Sequence, residues 1–248
     1  MSWLIDRNLW LELYSSIKSM LNLSFDQDQM ATDTLSSILS ALPNAIDVQQ
    51  LRNAISSRCV FILGPALNIE HDFRKAIELG LTDRLPTIAI DGTATFLYEK
   101  GFIPDIIVSD LDGDPNHIVY LNKRGSIAIV HGHGDNIGEI RMWVPRFRGS
   151  VIGSTQVEPK PYVYNFGGFT DGDRALFIAY ALGVRKAIIG GMDFRGPIGR
   201  YSIVYRRKDE DIKRVKLSIA IKLISMLISW GMEIDALSNP GIPGVKVI

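Results

Sequence analysis

The sequence predicts an α/β protein: a mostly parallel sheet with helices on both faces over residues 57–248, preceded by a helical extension over residues 1–56. Three observations lead there. From Arg58 onward, short apolar runs rich in Val and Ile alternate with helix-like stretches, the pattern of strands joined by crossover helices. Before that point apolar residues recur only at helical spacing. Polar, chemistry-bearing residues fall directly after the apolar runs, again and again, as they do where ligands bind at the carboxyl ends of parallel strands.

In the first 56 residues Trp3, Leu4, Leu9, Trp10, Leu13, Ile17, Met20 and Leu21 mark one helix. The stretch Thr34–Leu39 belongs to a second, which Pro43 closes. This arm has neither a Gly-rich loop nor an acidic pair, so its expected role is to pack on the main domain or on a partner subunit of a homo-oligomer. The strands then read Cys59–Leu63, Thr87–Ile90, Ile106–Val108 and Ile127–Val130, with weaker runs at Ser150–Ile152 and Tyr162–Tyr164. Ala187–Ile189 and Glu233–Leu237 complete the set. Helices are expected over 69–79, from Asp91-Gly92-Thr93-Ala94 to near Gly101, around Ala175–Leu182, and over 209–230.

Composition narrows the function. Lys plus Arg equals Asp plus Glu at 27 each, so no bulk charge argues for nucleic acid or a membrane surface. Cys59 alone excludes an internal disulfide framework and a Cys-rich metal site. The stretch Leu217–Met232 is broken by Lys222 and is too short to span a bilayer comfortably. The first residues carry no signal-peptide core, so a cytoplasmic protein acting on small molecules is expected.

Pro104–Asp114 is the most telling stretch. Asp110 and Asp112 stand two apart after a strand, which aims both carboxylates to one face, and Gly113 lets the chain fold back. Carboxylates that close repel unless a cation sits between them, and Mg²⁺, which takes oxygen ligands and shares its shell with phosphates, is the economical ion. A plain acidic turn is the alternative. The stretch is no calcium-binding EF-hand loop, because Pro115 and Leu121 stand where Gly and the bidentate Glu belong.

The other turns repeat the theme. Gly64-Pro65-Ala66 can cradle phosphate on backbone N–H groups, or be an ordinary strand–helix turn. In Asp91-Gly92-Thr93 the carboxylate suits a ribose hydroxyl or a metal-bound water, or else caps the next helix. His131-Gly132-His133-Gly134-Asp135-Asn136 lacks the fourth ligand of a structural zinc site, so phosphate contact, with Asp135 reinforcing the Mg²⁺ site, fits better. Gly167-Gly168-Phe169-Thr170-Asp171 leads into a helix carrying Arg174, which can pair with phosphate or with an acidic neighbour. Gly190-Gly191-Met192-Asp193 ends one more strand, and Arg195–Lys208 reads as a solvated basic loop, with a lid over phosphates as the alternative. Ser154-Thr155 has no His–Asp companion of serine-hydrolase type.

Taken as a set, Asp91-Gly92-Thr93-Ala94, Pro104-Asp105 with Ser109-Asp110-Leu111-Asp112-Gly113, and Thr170-Asp171 with Arg174-Ala175-Leu176 resemble thiamine pyrophosphokinase. Thr93, Ser109, Gly113 and Arg174 depart from that family's Gly, Gly, Ser and Lys. The sequence is more similar to the archaeal 6-hydroxymethyl-7,8-dihydropterin pyrophosphokinases. There the Gly-Pro-small-Leu turn, the Asp-Leu-Asp-Gly turn, His-Gly-His-Gly-Asp-Asn, Gly-Gly-Phe-Thr-Asp-Gly-Asp-Arg-Ala and Gly-Met-Asp-Phe occur in the same order.

The resemblance implies a Rossmann-like catalytic domain and Mg²⁺-dependent transfer of diphosphate from ATP to the hydroxymethyl group of a reduced pterin, releasing AMP. That chemistry serves tetrahydromethanopterin- or folate-type cofactors. Asp110 and Asp112 would hold Mg²⁺, with Asp171 or Asp135 completing the shell or taking the hydroxyl proton, and Arg174 would stabilise charge on the transferring group. Gly64, Pro65, Ala66, Asp91, Gly92, Thr93, His131, His133, Asp135 and Asn136 would hold ATP. Gly167, Gly168, Phe169, Thr170 and Asp193 would hold the pterin. The competing readings are a glycosyltransferase-like enzyme using a nucleotide-sugar, a thiamine pyrophosphokinase-like enzyme with another acceptor, and a non-enzymatic sensor of nucleotide or pterin.

Overall fold

In a computed structural model the protein is described over residues 2–55, 57–196, 199–202 and 210–248. Three helices lead: α1 (Arg7–Leu21), α2 (Phe25–Ser40) and α3 (Val48–Ala54). Then strands and helices alternate: β1 (Cys59–Leu63), α4 (Ile69–Glu78), α5 (Leu81–Arg84), β2 (Thr87–Ile90), α6 (Thr93–Lys100), β3 (Ile106–Ser109), α7 (Pro115–Lys123), β4 (Ile127–Gly132), α8 (Ile137–Trp143) and β5 (Val151–Thr155). The chain closes with β6 (Val163–Tyr164), α9 (Asp171–Ala181), β7 (Lys186–Gly190), α10 (Glu210–Ser229), β8 (Glu233–Ala236) and β9 (Lys246–Val247).

The described residues form one nine-stranded sheet in the order β6-β5-β4-β3-β2-β1-β7-β8-β9, with every neighbouring pair parallel. Each central strand buries both faces, which is why these runs are continuously apolar and not alternating. Val60 and Ile62 face one core with α1, α9 and α10, whereas Phe61 and Leu63 face a second with α2, α4, α6, α7 and α8. The α/β fold is as the sequence predicts. Three helices, α5, α7 and α8, and the two-residue β9 are additions. The helices are short, and β9 offers no period to read.

The N-terminal arm packs on its own chain. It straddles the β6 edge: α1 sends Trp10, Tyr14 and Ile17 into one core, and α2 sends Ala31, Leu35 and Leu39 into the other. Trp3 bridges Asn165 just past β6, and Ala45 bridges Val151 of β5. An edge strand of two residues is thereby covered, which removes a template for aggregation. Trp10 is fully buried, edge-on to Phe177, and its indole N–H donates to the Gln156 carbonyl at 2.9 Å. Trp10→Ala is expected to cost about 3–5 kcal/mol. A thermal melt should show that as a Tm drop of roughly 6–20 °C.

Candidate active site

All nine strands point the same way, so their carboxyl ends share one edge, and a cavity of about 840 Å³ runs along it. Its lining runs from the His131–Asn136 loop past Asp110 and Asp91 to Gly64, and on to Met192 and Asp193.

The centre is acidic. Asp91 follows β2 in the left-handed region at φ 41°, held there by its N–H donating to the Val108 carbonyl at 2.8 Å. Its side chain does not cap α6, which starts without a side-chain cap. The carboxylate instead accepts the Ser109 hydroxyl at 2.8 Å, and the same hydroxyl oxygen accepts the Leu111 N–H. Leu111, at φ 68°, makes the tight turn that Asp110 fixes by accepting the Asp112 N–H at 3.1 Å. A Cβ at Gly113 would sit 3.2 Å from an Asp91 oxygen, so the absent side chain lets this turn close on β2.

Carboxylate oxygens of Asp91, Asp110 and Asp171 lie within 4.8 Å of one another. Asp112 hydrogen-bonds Asp91 from beside this trio, and Asp135 is the exposed residue of the 134–136 turn. The gathered set is therefore 91, 110 and 171: the sequence reading offers Asp110 and Asp112 with Asp171 or Asp135, and Asp91 stands in the trio where Asp112 is expected. Burial, followed by the charges of Asp112, Asp110 and Asp171, pushes the Asp91 carboxyl well above its usual range. Three oxygens at this spacing, one on a carboxyl that resists ionisation, suit a hard divalent cation.

This has a consequence for stability. Folded Asp91 holds its proton more tightly than unfolded Asp91. Its contribution is complete below the ordinary value of 3.8 and is lost as pH rises through the raised value. The Tm of EDTA-treated protein should fall as pH rises above the ordinary carboxylate range, and Asp91→Asn should flatten that slope. An unchanged slope in the variant would count against the assignment.

Beside the trio sits a buried cation. Arg174 on α9 donates to Asp171 at 2.9 Å, to the Phe169 carbonyl at 2.8 Å and to His131 Nε2 at 2.9 Å. His131 is at the end of β4, with Nδ1 3.1 Å from Ser154 Oγ. Burial, then the Arg174 charge, pushes its basicity far down, so the ring is neutral, accepting at Nε2 and donating at Nδ1. Both ring nitrogens are engaged, which leaves none for zinc. Asp173 fastens the turn that carries Asp171, accepting the Phe169 and Thr170 N–H groups at 2.6 and 2.8 Å. Gly167 and Gly168 do not line the cavity. A Cβ on Gly168 would lie 2.4 Å from the Arg174 Cα, so this turn lies against α9 beneath the guanidinium.

The His loop is tied down by Asn136, which donates to the carbonyls of Asp110 and His131, both at 2.7 Å, and accepts the His133 N–H at 3.0 Å. His133 Nε2 lies 3.3 Å from an Asp110 oxygen. Burial opposes charge on this ring, but the hydrogen bond and charge of Asp110, with Asp135 and Asp28, outweigh it and raise its basicity.

Toward β7 the backbones crowd together. A Cβ on Gly64 would lie 2.8 Å from the Gly191 carbonyl, and one on Gly199 would lie 2.2 Å from that of Pro65. Asp91 lines the cavity but Gly92 and Thr93 do not, for the Tyr201 carbonyl covers Gly92. Asp193 accepts the Arg195 and Gly196 N–H groups at 3.0 and 2.8 Å, closing its own turn at the rim. Of the basic loop, Arg200 reaches Tyr201 and Glu70, while Arg206, Arg207 and Lys208 lie outside the described residues.

Some lining residues carry no motif. Lys213 and Lys216 come from α10, Asn22, Leu23, Ser24, Gln27 and Asp28 from the arm, and Gln156 from the end of β5. The lysines are four-carbon chains on a long amphipathic helix, and no local pattern separates them from solvated ones. Asp28 is more informative: a buried carboxylate in the first turns of a helix, accepting Tyr14 Oη–H, Gln156 Nε2 at 2.7 Å and the Gly134 N–H at 2.7 Å.

Fold and site together define an α/β protein with an acidic ligand cavity along the carboxyl edge of a parallel sheet. More specifically, the chain belongs to the 6-hydroxymethylpterin diphosphokinase MptE-like family, whose sequence model matches residues 36–198. It is 39% identical over 233 residues to the 6-hydroxymethyl-7,8-dihydropterin pyrophosphokinase of Methanocaldococcus jannaschii, covering 90% of this chain and 96% of the relative. It is 36% identical over 230 residues to the protein of that name from Methanothermobacter thermautotrophicus, covering 88% and 94%. A third relative of the same name, from Pyrococcus furiosus, is 34% identical over 221 residues, covering 88% and 92%. Among solved structures, the Maf glycosyltransferase of Magnetospirillum magneticum AMB-1 is similar with a TM-score of 0.56 at 16% identity, over 91% of this chain and 39% of that one. That likeness concerns the fold alone.

Proposed function

We propose that this chain transfers diphosphate from ATP to the hydroxymethyl group of 6-hydroxymethyl-7,8-dihydropterin, releasing AMP, with Mg²⁺ as the metal. The observation that carries the reading is the Asp91–Asp110–Asp171 trio, set midway along a cavity large enough for two substrates, in a chain whose relatives bear that enzyme's name.

In this reaction the acceptor oxygen forms a bond to the β-phosphorus, the bridge between α- and β-phosphorus breaks, and its electron pair leaves on AMP. Asp91, Asp110 and Asp171 would hold Mg²⁺, with Asp112 behind Asp91. Bound there, the ion neutralises phosphate charge and aligns the groups for in-line attack. Arg174 holds Asp171 in place. Its two terminal nitrogens are engaged by Asp171, His131 and Phe169, and the cations assigned to the phosphate chain are Lys213 and Lys216 at the cavity wall. Gly64–Ala66, against Gly191, provide the close backbone approach for nucleotide phosphates. Asp135, the exposed residue of the 134–136 turn, is assigned to take the hydroxyl proton.

The same reading places the enzyme in the cytoplasm with its ATP, in the making of tetrahydromethanopterin- or folate-type cofactors. The nucleotide-sugar reading draws no support from a fold likeness at 16% identity. The test is to incubate the protein with Mg²⁺, ATP and the dihydropterin and to identify the nucleotide product. AMP is expected, with none when thiamine replaces the pterin. ADP, or no turnover, would overturn the proposal.

A further inference from the structure

We propose that the N-terminal arm forms the acceptor wall of the active site. In this proposal the turn from α1 to α2 (Leu21–Ser24) and Gln27, beside Glu139 and Trp143 of α8, take the flat bicyclic ring of the reduced pterin. The inference rests on the diphosphate-transfer reading and adds which end of the cavity each substrate occupies.

Sheet order gives the cavity two ends. The trio grows from the ends of β2 and β3 and the start of α9. On one side lie β1 and β7 with Gly64, Gly191 and Met192; on the other lie β4 and β5 with the His loop, α8 and the arm. From β5 to β1 is four strand spacings, about 19 Å. That leaves room for separate subsites on either side of the metal position.

The two ends differ in chemistry. The glycines that bring backbone close, Gly64 and Gly191, lie toward β1 and β7. A triphosphate needs such groups, and a neutral heterocycle does not. At the β4–β5 end the lining guanidinium, Arg174, is already held by Asp171, His131 and the Phe169 carbonyl. Its wall is Leu23 and Trp143, with the Gln27 amide and the Glu139 carboxylate. That composition matches a dihydropterin: an apolar and aromatic surface for the ring faces, an acceptor for the adjacent amino and ring N–H donors, and an amide for the carbonyl edge.

The arm is built into this position. α2 packs beside α8 and the 134–136 turn. Asp28, only 4% exposed, gathers Tyr14 of α1, Gln156 past β5 and the Gly134 N–H of the His loop on one carboxylate. Thr32 and Thr155 hydroxyls meet at 2.6 Å one turn further along α2. The family's sequence model begins at residue 36, so the arm's part of this wall lies outside the segment it matches.

The experiment measures KM for each substrate, and equilibrium dialysis of the dihydropterin, in wild type, Leu23→Ala, Glu139→Gln and Asp193→Asn, with melts to confirm folding. Glu139→Gln removes a charged hydrogen-bond partner and should raise the pterin KM and dissociation constant at least about 10-fold, leaving the ATP KM within about twofold. Leu23→Ala should raise the same two constants several-fold. The inference is overturned if Asp193→Asn weakens pterin while Leu23→Ala and Glu139→Gln do not, or if those two act on ATP. Wild-type protein that releases no AMP defeats the proposed function, whereas normal wild-type turnover with unchanged pterin constants in both arm-side variants defeats only this assignment.

Discussion

Asp110→Asn is expected to lower kcat by about 10³-fold or more while leaving the protein folded. The asparagine keeps the Asp110 oxygen that accepts the Asp112 N–H, so the Leu111 turn persists. What is lost is one negative charge from a trio whose oxygens lie within 4.8 Å, and with it the affinity for a divalent cation. Removing that charge relieves repulsion on Asp91, so the metal-free variant should melt no lower than wild type. Comparing the Mg²⁺-induced Tm gain of the two proteins checks this without any assay of activity: wild type should gain and the variant should not.

Arg174→Leu should be the most destabilising change in the site. The guanidinium is 3% exposed and serves three acceptors, Asp171, His131 and the Phe169 carbonyl. Leucine leaves a carboxylate, an imidazole nitrogen and a carbonyl without that donor in a buried space. Breaking one partner of such a buried pair costs about 3–5 kcal/mol. The melt should drop by roughly 6–20 °C, and turnover should be lost even well below the new Tm. Arg174→Lys restores the charge but not the fork of donors, so it should recover stability in part and activity little. If Arg174→Leu melts like wild type, the buried network has been misassigned.

The fold was legible because its strands are buried on both faces. Continuous Val/Ile runs after Arg58 leave few other options. The site was legible in kind, since Asp91, Asp110 and Asp171 each follow a strand or open a helix at one edge. Which carboxylates meet was not. Spacing along the chain favours Asp112, but the left-handed Leu111 puts it beside Asp91 and behind the trio, while α9 brings Asp171 across from a distant loop. His131 likewise reads as a ligand beside His133. It lies on the strand, facing Ser154 and Arg174, because β4 runs two residues further than its apolar run. The arm's part was the least legible. Asp28 is one acidic residue among several in a polar helix start, and only tertiary packing buries it. Its partners Gly134 and Gln156 are 106 and 128 residues away.

The central claim is that the β- and γ-phosphates move together onto the acceptor. ATP labelled at the β-phosphorus follows that most directly, with Mg²⁺ and 6-hydroxymethyl-7,8-dihydropterin present. The account predicts label in a pterin diphosphate and unlabelled AMP, in equal amounts and dependent on Asp110. Label retained in ADP, or recovered only as free pyrophosphate with the pterin unchanged, would contradict it.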